Sequence, residues 1–352
     1  MSVTLRRRII CIFAYLLLLP PAVAAVAGWM AAPTFLHPIR RALTPDLIRE
    51  ADASFAHSGG HREDFNVRAP DGILLRGWIV RPDDHPNGSW VLLFHGVADN
   101  RVGVIGQSEF LLRSGYSVVM MDARAHGASD GSMATYGWTE RNDTKAIVDA
   151  LILSEVSRNA DAKLRSGEWK LVKSDQSGPE KPMQSPDPRP GTPLHIFALG
   201  ESMGAGISLQ SAAVDPRIEA VVAEAGFANL REASYDYAAL RRSPLLGKTL
   251  LRPFSWTLLY HGEKLTGLPV AEVSPEKAVA ARAFPVLLIC DENDDELPCR
   301  HTQRIYDAAI GPKQFWMAPG AFHTAALGFQ PAAFQRRVLD FFANVAQAKP
   351  VQ

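Results

Sequence analysis

The chain has too few cysteines for the frameworks that cysteine builds: Cys11, Cys290 and Cys299 are its three, whereas disulfide scaffolds and zinc modules need four or more at paired spacings. It has no surplus of charge either. Lys plus Arg and Asp plus Glu both number 37, so the basic excess of a phosphate-neutralising protein is missing and no nucleic-acid partner is expected. Glycine and proline, 26 and 25 in 352 residues, are too scattered for a collagen-like or low-complexity chain. The ten histidines form no His-Glu-x-x-His, and the acidic run around Asp294 lacks the glycine and spacing of an EF-hand loop, so no metal or other cofactor is called for. Against these absences stands a hydrophobic content of 47%, ample for a core. The length fits one large α/β domain or two smaller ones.

Charge at the start of the chain is segregated. Arg6, Arg7 and Arg8 precede an uncharged apolar run from Ile9 to about Met30, 22 residues interrupted only by Pro20-Pro21. At about 1.5 Å per residue such a helix spans the roughly 30 Å hydrocarbon core of a bilayer. Residues 1–32 therefore read as a membrane-targeting segment, with a retained anchor favoured over a signal peptide. The signal-peptide alternative has small-x-small cleavage patterns at Ala22-Val23-Ala24 and Ala25-Val26-Ala27, with Pro20-Pro21 closing its apolar region. Three arginines before the run face Arg40 and Arg41 after it, so the positive-inside tendency leaves the tail cytoplasmic and the rest extracytoplasmic, or secreted after cleavage.

Residues 33–63 read as a linker, and from Asp64 to the C-terminus an α/β rhythm sets in. Phe65 to Ala69, the turn Pro70-Asp71-Gly72 and Ile73 to Val80 predict a β-hairpin. Trp90 to Phe94, Ser117 to Met121, Leu194 to Leu199, Ile218 to Ala223 and Val286 to Cys290 are continuous apolar runs, suited to strands covered on both faces of a parallel sheet. Lys313 to Met317 predicts a last strand, and Pro331 to Val345 a closing helix with Phe334, Val338, Phe341, Phe342 and Val345 on one face. Two stretches break the rhythm. Residues 157–193 carry six prolines among polar residues and read as an exposed flexible insertion. Residues 227–284, helical and aromatic, read as a cap over a pocket or as an ordinary crossover with a surface excursion.

Gly200-Glu201-Ser202-Met203-Gly204 follows one of these strands and precedes the small-residue stretch Ala205 to Ala213, the strand-turn-helix setting that Gly-x-Ser-x-Gly requires. A Cβ at Gly200 or Gly204 would strike backbone in so tight a turn, which lifts the Ser202 hydroxyl above the sheet edge. The competing reading, a helix N-cap serine, leaves the glycines unexplained. A serine hydroxyl needs a base, and the base an orienting acid. Asp294, in the loop leaving the strand that ends at Cys290, and His323, just past the last strand, both sit at carboxyl ends of parallel strands, where open α/β sheets place their ligands. The order Ser202, Asp294, His323 suits the arrangement. Glu224, at the end of the strand Ile218 to Ala223, is the alternative acid. Cys290, at a strand end, and Cys299, past a loop, are expected as free or buried thiols.

These motifs, with His95-Gly96 after the third strand and Asp122-Ala123-Arg124-Ala125-His126-Gly127-Ala128-Ser129 after the fourth, make residues 64–345 resemble the α/β-hydrolase superfamily, in particular its Bem46-like and serine-aminopeptidase-like branches. The resemblance implies a mostly parallel sheet with helices on both faces and a small helical cap. It also implies an oxyanion hole made by the backbone N–H groups of Val97 and Met203. His95, His126 and Arg124 are assigned to bracing. Ala125 stands where the family pattern has glycine, a change that matters only if the position needs a positive φ. Asp291 also replaces a usual glycine and leaves five acids crowded between Asp291 and Glu296.

The expected activity is hydrolysis of a small-molecule acyl substrate, a carboxylic ester first, with amide, peptide or thioester bonds behind, through an acyl-enzyme on Ser202. A noncatalytic member of the fold that binds a lipid or a protein partner is the alternative from another class.

Overall fold

The computed structural model describes residues 3–166, 195–238 and 243–348. Among them eight strands form one sheet in the order β1-β2-β4-β3-β5-β6-β7-β8. These are β1 (Gly60–Arg68), β2 (Leu74–Pro82), β3 (Ser89–Phe94), β4 (Ser117–Met121), β5 (His195–Glu201), β6 (Ile218–Glu224), β7 (Val286–Asp291) and β8 (Lys313–Ala318). β1 and β2 make an antiparallel hairpin, β2 joins β4 antiparallel, and every later pairing is parallel.

The predicted strand runs are found with their ends shifted by at most two residues, except that β1 begins five residues before Phe65. Their unbroken hydrophobicity has a simple origin. In β3, Trp90, Leu92 and Phe94 face one apolar layer and Val91 and Leu93 the other, so both faces are dry. The first layer is completed by α4 (Glu140–Ser166), α5 (Met203–Val214) and α9 (Pro275–Ala281), and the second by α2 (Pro45–His57), α3 (Ile105–Arg113) and α12 (Pro331–Ala348). α12, which follows α10 (Arg300–Ala308) and α11 (Ala326–Phe329), buries Phe334, Val338, Phe341, Phe342 and Val345, the face its periodicity marked.

α3 connects β3 to β4 across one face, and α4 leads from β4 back past β3 to β5 across the other. The chain thus reverses its direction of winding beside β3. The carboxyl ends of β3 and β5 are therefore the usual place for a ligand in an open α/β sheet.

Several features depart from expectation. Residues 33–63 are more than a linker: Thr44 caps α2, Pro45 takes its first turn, and Ala51 and Phe55 are buried, Phe55 edge-on to Trp78. The insertion expected from residue 157 begins as helix, since α4 continues to Ser166; residues 167–194 lie outside the described residues. Pro20-Pro21 ends nothing, because α1 (Val3–Leu36) runs through both prolines. By length and composition α1 is apolar enough to cross a membrane.

The segment between β6 and β7 is helical where described, with α6 (Leu230–Ala238), α7 (Pro244–Lys248), α8 (Arg252–Thr266) and α9. α8 lies along the C-terminal part of α1. Ala24, Gly28, Ala32 and Leu36 form the buried ridge, and a Cβ on Gly28 would stand 2.1 Å from the Phe254 carbonyl oxygen. Thr257 Oγ1 donates to Ala25 O at 2.6 Å, and His261 stacks on Trp29 with centroids 3.7 Å apart.

Cys290 and Cys299 are joined in a disulfide, contrary to the expectation of free thiols. The intervening loop folds back on itself: Asp294 N donates to Asp291 O, and Asp294 Oδ1 accepts from the N–H groups of Glu296 and Leu297. That turn brings the two Cα atoms to 5.3 Å, inside the disulfide range. Cys11 is an exposed free thiol.

Ala125 does occupy the left-handed region, at φ 63°, and is buried. Holding an L-residue there costs about 1–2 kcal/mol. Glycine would remove that cost, but it forfeits about 0.8 kcal/mol for a buried methyl and some unfolded-chain rigidity. The two sides nearly cancel, which accounts for alanine. Ala125→Gly is expected to change the unfolding free energy by less than about 1 kcal/mol in urea titrations, and Ala125→Val to lower it by more than about 2 kcal/mol through strain and overpacking.

Candidate active site

At the end of β5 the chain turns sharply into α5, and Ser202 sits on the turn with φ 52° and ψ −117°. Two glycines make this possible. A Cβ on Gly200 would lie 2.2 Å from Gly204 O, and one on Gly204 would lie 2.2 Å from Phe94 O. The strained backbone is pinned by the Ser202 N–H, which donates to Glu224 O at 2.9 Å.

The loop after β8 carries His323 to this turn. His323 Nε2 lies 2.9 Å from Ser202 Oγ, and Nδ1 lies 2.7 Å from Asp294 Oδ2. Asp294 acts as acceptor toward the N–H groups of Glu296 and Leu297 through Oδ1, and its other oxygen accepts the hydrogen bond from Nδ1–H. That leaves Nε2 as the acceptor for the serine hydroxyl. Of the five crowded acids, Asp294 faces Nδ1. Asp291 accepts from Thr324 N, Glu292 from Gly320 N, and a Glu296 oxygen stands 3.9 Å from His323 Nε2. Glu224 accepts from Ala326 N. Burial alone would lower the pKa of His323, but the hydrogen bond and charge of Asp294, with Glu296 and Asp291 behind them, hold it above the ordinary imidazole value.

Met203 is the first residue of α5, so its N–H belongs to the free amino end of that helix. The loop after β3 comes close: a Cβ on Gly96 would be 3.6 Å from Ser202 Cβ, and Val97 follows with its side chain partly exposed. His95 holds this loop, donating from Nδ1 to Gly96 O at 2.7 Å and accepting the Ala123 N–H on Nε2 at 3.0 Å. Burial lowers its pKa, keeping the ring neutral. His126 is pushed down to about 4 by burial and donates to Arg124 O. Arg124 grips Asp143 with two bonds of 2.7 and 2.6 Å and reaches Asp71 at 2.9 Å. Asp122 takes the N–H groups of Arg101 and Ala128 and pairs with the Arg101 guanidinium at 2.6 Å. Phe322, next to His323, meets Phe329 edge-on, and both are half exposed.

Sequence reasoning did not foresee a set of buried carboxyls under the turn. Glu201, Glu224 and Asp291 cap β5, β6 and β7, and burial raises the pKa of each. The signal available was small: acids in place of hydrophobic residues at three successive strand ends.

The profile of the X-Pro dipeptidyl-peptidase (S15) family matches residues 71–254, just over half of the chain. YqkD of Bacillus subtilis, an uncharacterized protein, is 26% identical over 288 residues, covering 80% of this chain and 79% of its own. The lysophosphatidylserine lipase ABHD12 of Danio rerio is 24% identical over 336 residues, covering 88% and 74%. Among solved structures, the esterase Pf2001 of Pyrococcus furiosus superposes with a TM-score of 0.59 at 21% identity, over 88% of this chain and 99% of that one, which shows a shared fold. The matched profile spans β2 through the start of α8, with the Ser202 turn inside it, and the chain belongs to the X-Pro dipeptidyl-peptidase (S15) family of α/β hydrolases.

Proposed function

We propose that the chain is a serine hydrolase that cleaves carboxylic esters through an acyl-enzyme. The observation that carries this reading is the unbroken chain Asp294–His323–Ser202, with links of 2.7 and 2.9 Å. Ser202 Oγ attacks the acyl carbon while His323 Nε2 takes its proton. The backbone N–H groups of Met203 and Val97 receive the charge that develops on the carbonyl oxygen, and His323 then protonates the leaving alkoxide. Water repeats the sequence on the acyl-enzyme and releases the acid. Asp294 orients the imidazole and stabilises its cation. The esterase likeness and the lipase relative support an ester substrate. The family supports a second reading, a peptidase using the same residues on an Xaa-Pro amide. Turnover of p-nitrophenyl esters of graded chain length, set against an Xaa-Pro p-nitroanilide, decides between them.

α1 supports a retained anchor, because cleavage after Ala24 or Ala27 would remove Ala24 from the ridge that α8 packs on, and the later cut also the Ala25 carbonyl that Thr257 bonds. On this reading the extracytoplasmic side holds the catalytic domain. The mature protein is expected to keep Arg6 to Arg8 by intact-mass measurement and to resist alkaline carbonate extraction. A soluble protein starting near Ala25 or Gly28 contradicts it.

Ser202→Ala is expected to abolish fluorophosphonate labelling and lower ester turnover by about a thousandfold, with the circular dichroism spectrum unchanged. Asp294→Asn should lower turnover far more than Glu224→Gln, since an amide cannot stabilise the imidazolium. The acidic limb of kcat/KM reports His323 losing its proton, because only the neutral ring accepts from serine. Since its pKa is raised, activity should climb through a midpoint above the ordinary imidazole value. Glu296→Gln, by removing a nearby negative charge, should move that midpoint down.

A further inference from the structure

Two buried carboxyls hold the backbone on the far side of His323. Asp291 Oδ2 accepts the Thr324 N–H at 2.8 Å, and Glu224 Oε1 accepts the Ala326 N–H at 2.9 Å. Thr324 needs holding, since it sits at φ 56° immediately after His323. The second oxygens, Glu224 Oε2 and Asp291 Oδ1, are fully buried and without a hydrogen-bond partner. Both side chains are nearly inaccessible, at 0% and 1% exposure.

The groups around them add little positive charge. Facing the pair are Glu201 at the end of β5, Asp294 in the loop after β7, and His323 in the loop after β8. Glu201 is itself occupied by Gln107 Nε2 at 2.9 Å. The two acids end neighbouring parallel strands, Glu224 opposite Ile289 and Asp291 two residues further on, so ionising both, with bare oxygens and no cation, would be strongly destabilising, whereas a proton shared between them would satisfy both oxygens. Burial, and then the charge of Asp291, raises the pKa of Glu224, and burial, with the charge of Asp294, raises that of Asp291, so both shifts favour a retained proton.

We propose that Glu224 and Asp291 share one proton and act as a positioning pair for the His323 loop, so that loss of this proton sets an alkaline limit to catalysis. The proposal rests on His323 serving as the base. Below the pair's ionisation the two carboxyls stay together and clamp Thr324 and Ala326. Above it, two like charges repel in a buried site, the clamp loosens, and Nε2 loses its register with Ser202 Oγ.

The test uses the full-length protein. Infrared spectra of the wild type minus those of Glu224→Gln should contain the carbonyl stretch of a buried protonated carboxyl that disappears on alkalinisation, the band of Glu201, common to both, cancelling. In Glu224→Gln the amide oxygen still accepts from Ala326, while the amide N–H donates permanently to Asp291 Oδ1. This variant should hold kcat on p-nitrophenyl butyrate within about threefold at neutral pH and move the alkaline limb up by about one pH unit or more. Glu224→Leu, which cannot accept, should lower kcat by about tenfold or more with little change in KM. Identical carbonyl regions in the wild type and Glu224→Gln overturn the shared proton. An alkaline limb identical in wild type and Glu224→Gln overturns the coupling to catalysis. Inactivation of Glu224→Gln to the level of Asp294→Asn would make Glu224 the orienting acid and overturn the positioning role. If Ser202→Ala retained turnover, the catalytic reading would fail separately, and the infrared band would still decide the proton.

Discussion

A serine at φ 52° between a strand and a helix costs of order 1–3 kcal/mol, and such a turn persists only where its surroundings over-determine it. Here they do so from three sides. Gly204 lets the start of α5 press against the Phe94 carbonyl of β3, Gly200 lets the turn close on itself, and β6 supplies the Glu224 carbonyl that takes the Ser202 N–H. The turn depends on β3, β5 and β6 lying side by side in parallel order. The sheet is therefore the scaffold that meets the cost of the turn, and the loops after β3, β7 and β8 are arranged around the hydroxyl it presents.

The site is built at an unusually acidic sheet edge. Asp294 and Asp291 leave the same strand three residues apart, yet their surroundings differ. Asp294 has three donors across its two oxygens, whereas Asp291 has one backbone donor and a buried bare oxygen. Hydrogen bonding favours the charged carboxylate and desolvation favours the neutral acid, so neighbouring acids are separated in character by local geometry alone. The disulfide from Cys290 to Cys299 closes the loop that contains this division, and the turn within it is made by the side chain of Asp294 itself.

α1 and the helices before β7 form a second assembly beside the sheet. The ridge of Ala24, Gly28, Ala32 and Leu36 allows α8 to approach so closely that backbone and side-chain oxygens meet the helix directly. An apolar N-terminal segment thus has two demands on it: its composition suits a bilayer, and its small residues suit α8.

Much of the fold was legible because its causes are local. Strands buried on both faces must be continuously apolar, α12 must show its phenylalanines on one face, and a tight strand-helix turn must have glycines at Gly200 and Gly204. The residues that meet at Ser202 were also legible by type and order, since a serine, an acid and a histidine at successive strand ends are visible in one dimension. What the sequence could not express was contact between loops. Five acids between Asp291 and Glu296 are alike as letters; only the fold of that loop turns Asp294 toward His323 and Asp291 beneath Thr324. The pairing of Cys290 with Cys299, the burial of Ala51 and Phe55 in a stretch read as linker, the left-handed Ala125 and the seating of α8 on α1 depend in the same way on distances that chain separation does not encode. Composition and period determine which segments are buried and in what conformation, while the direction in which each loop side chain points is settled only when strands distant in sequence lie side by side.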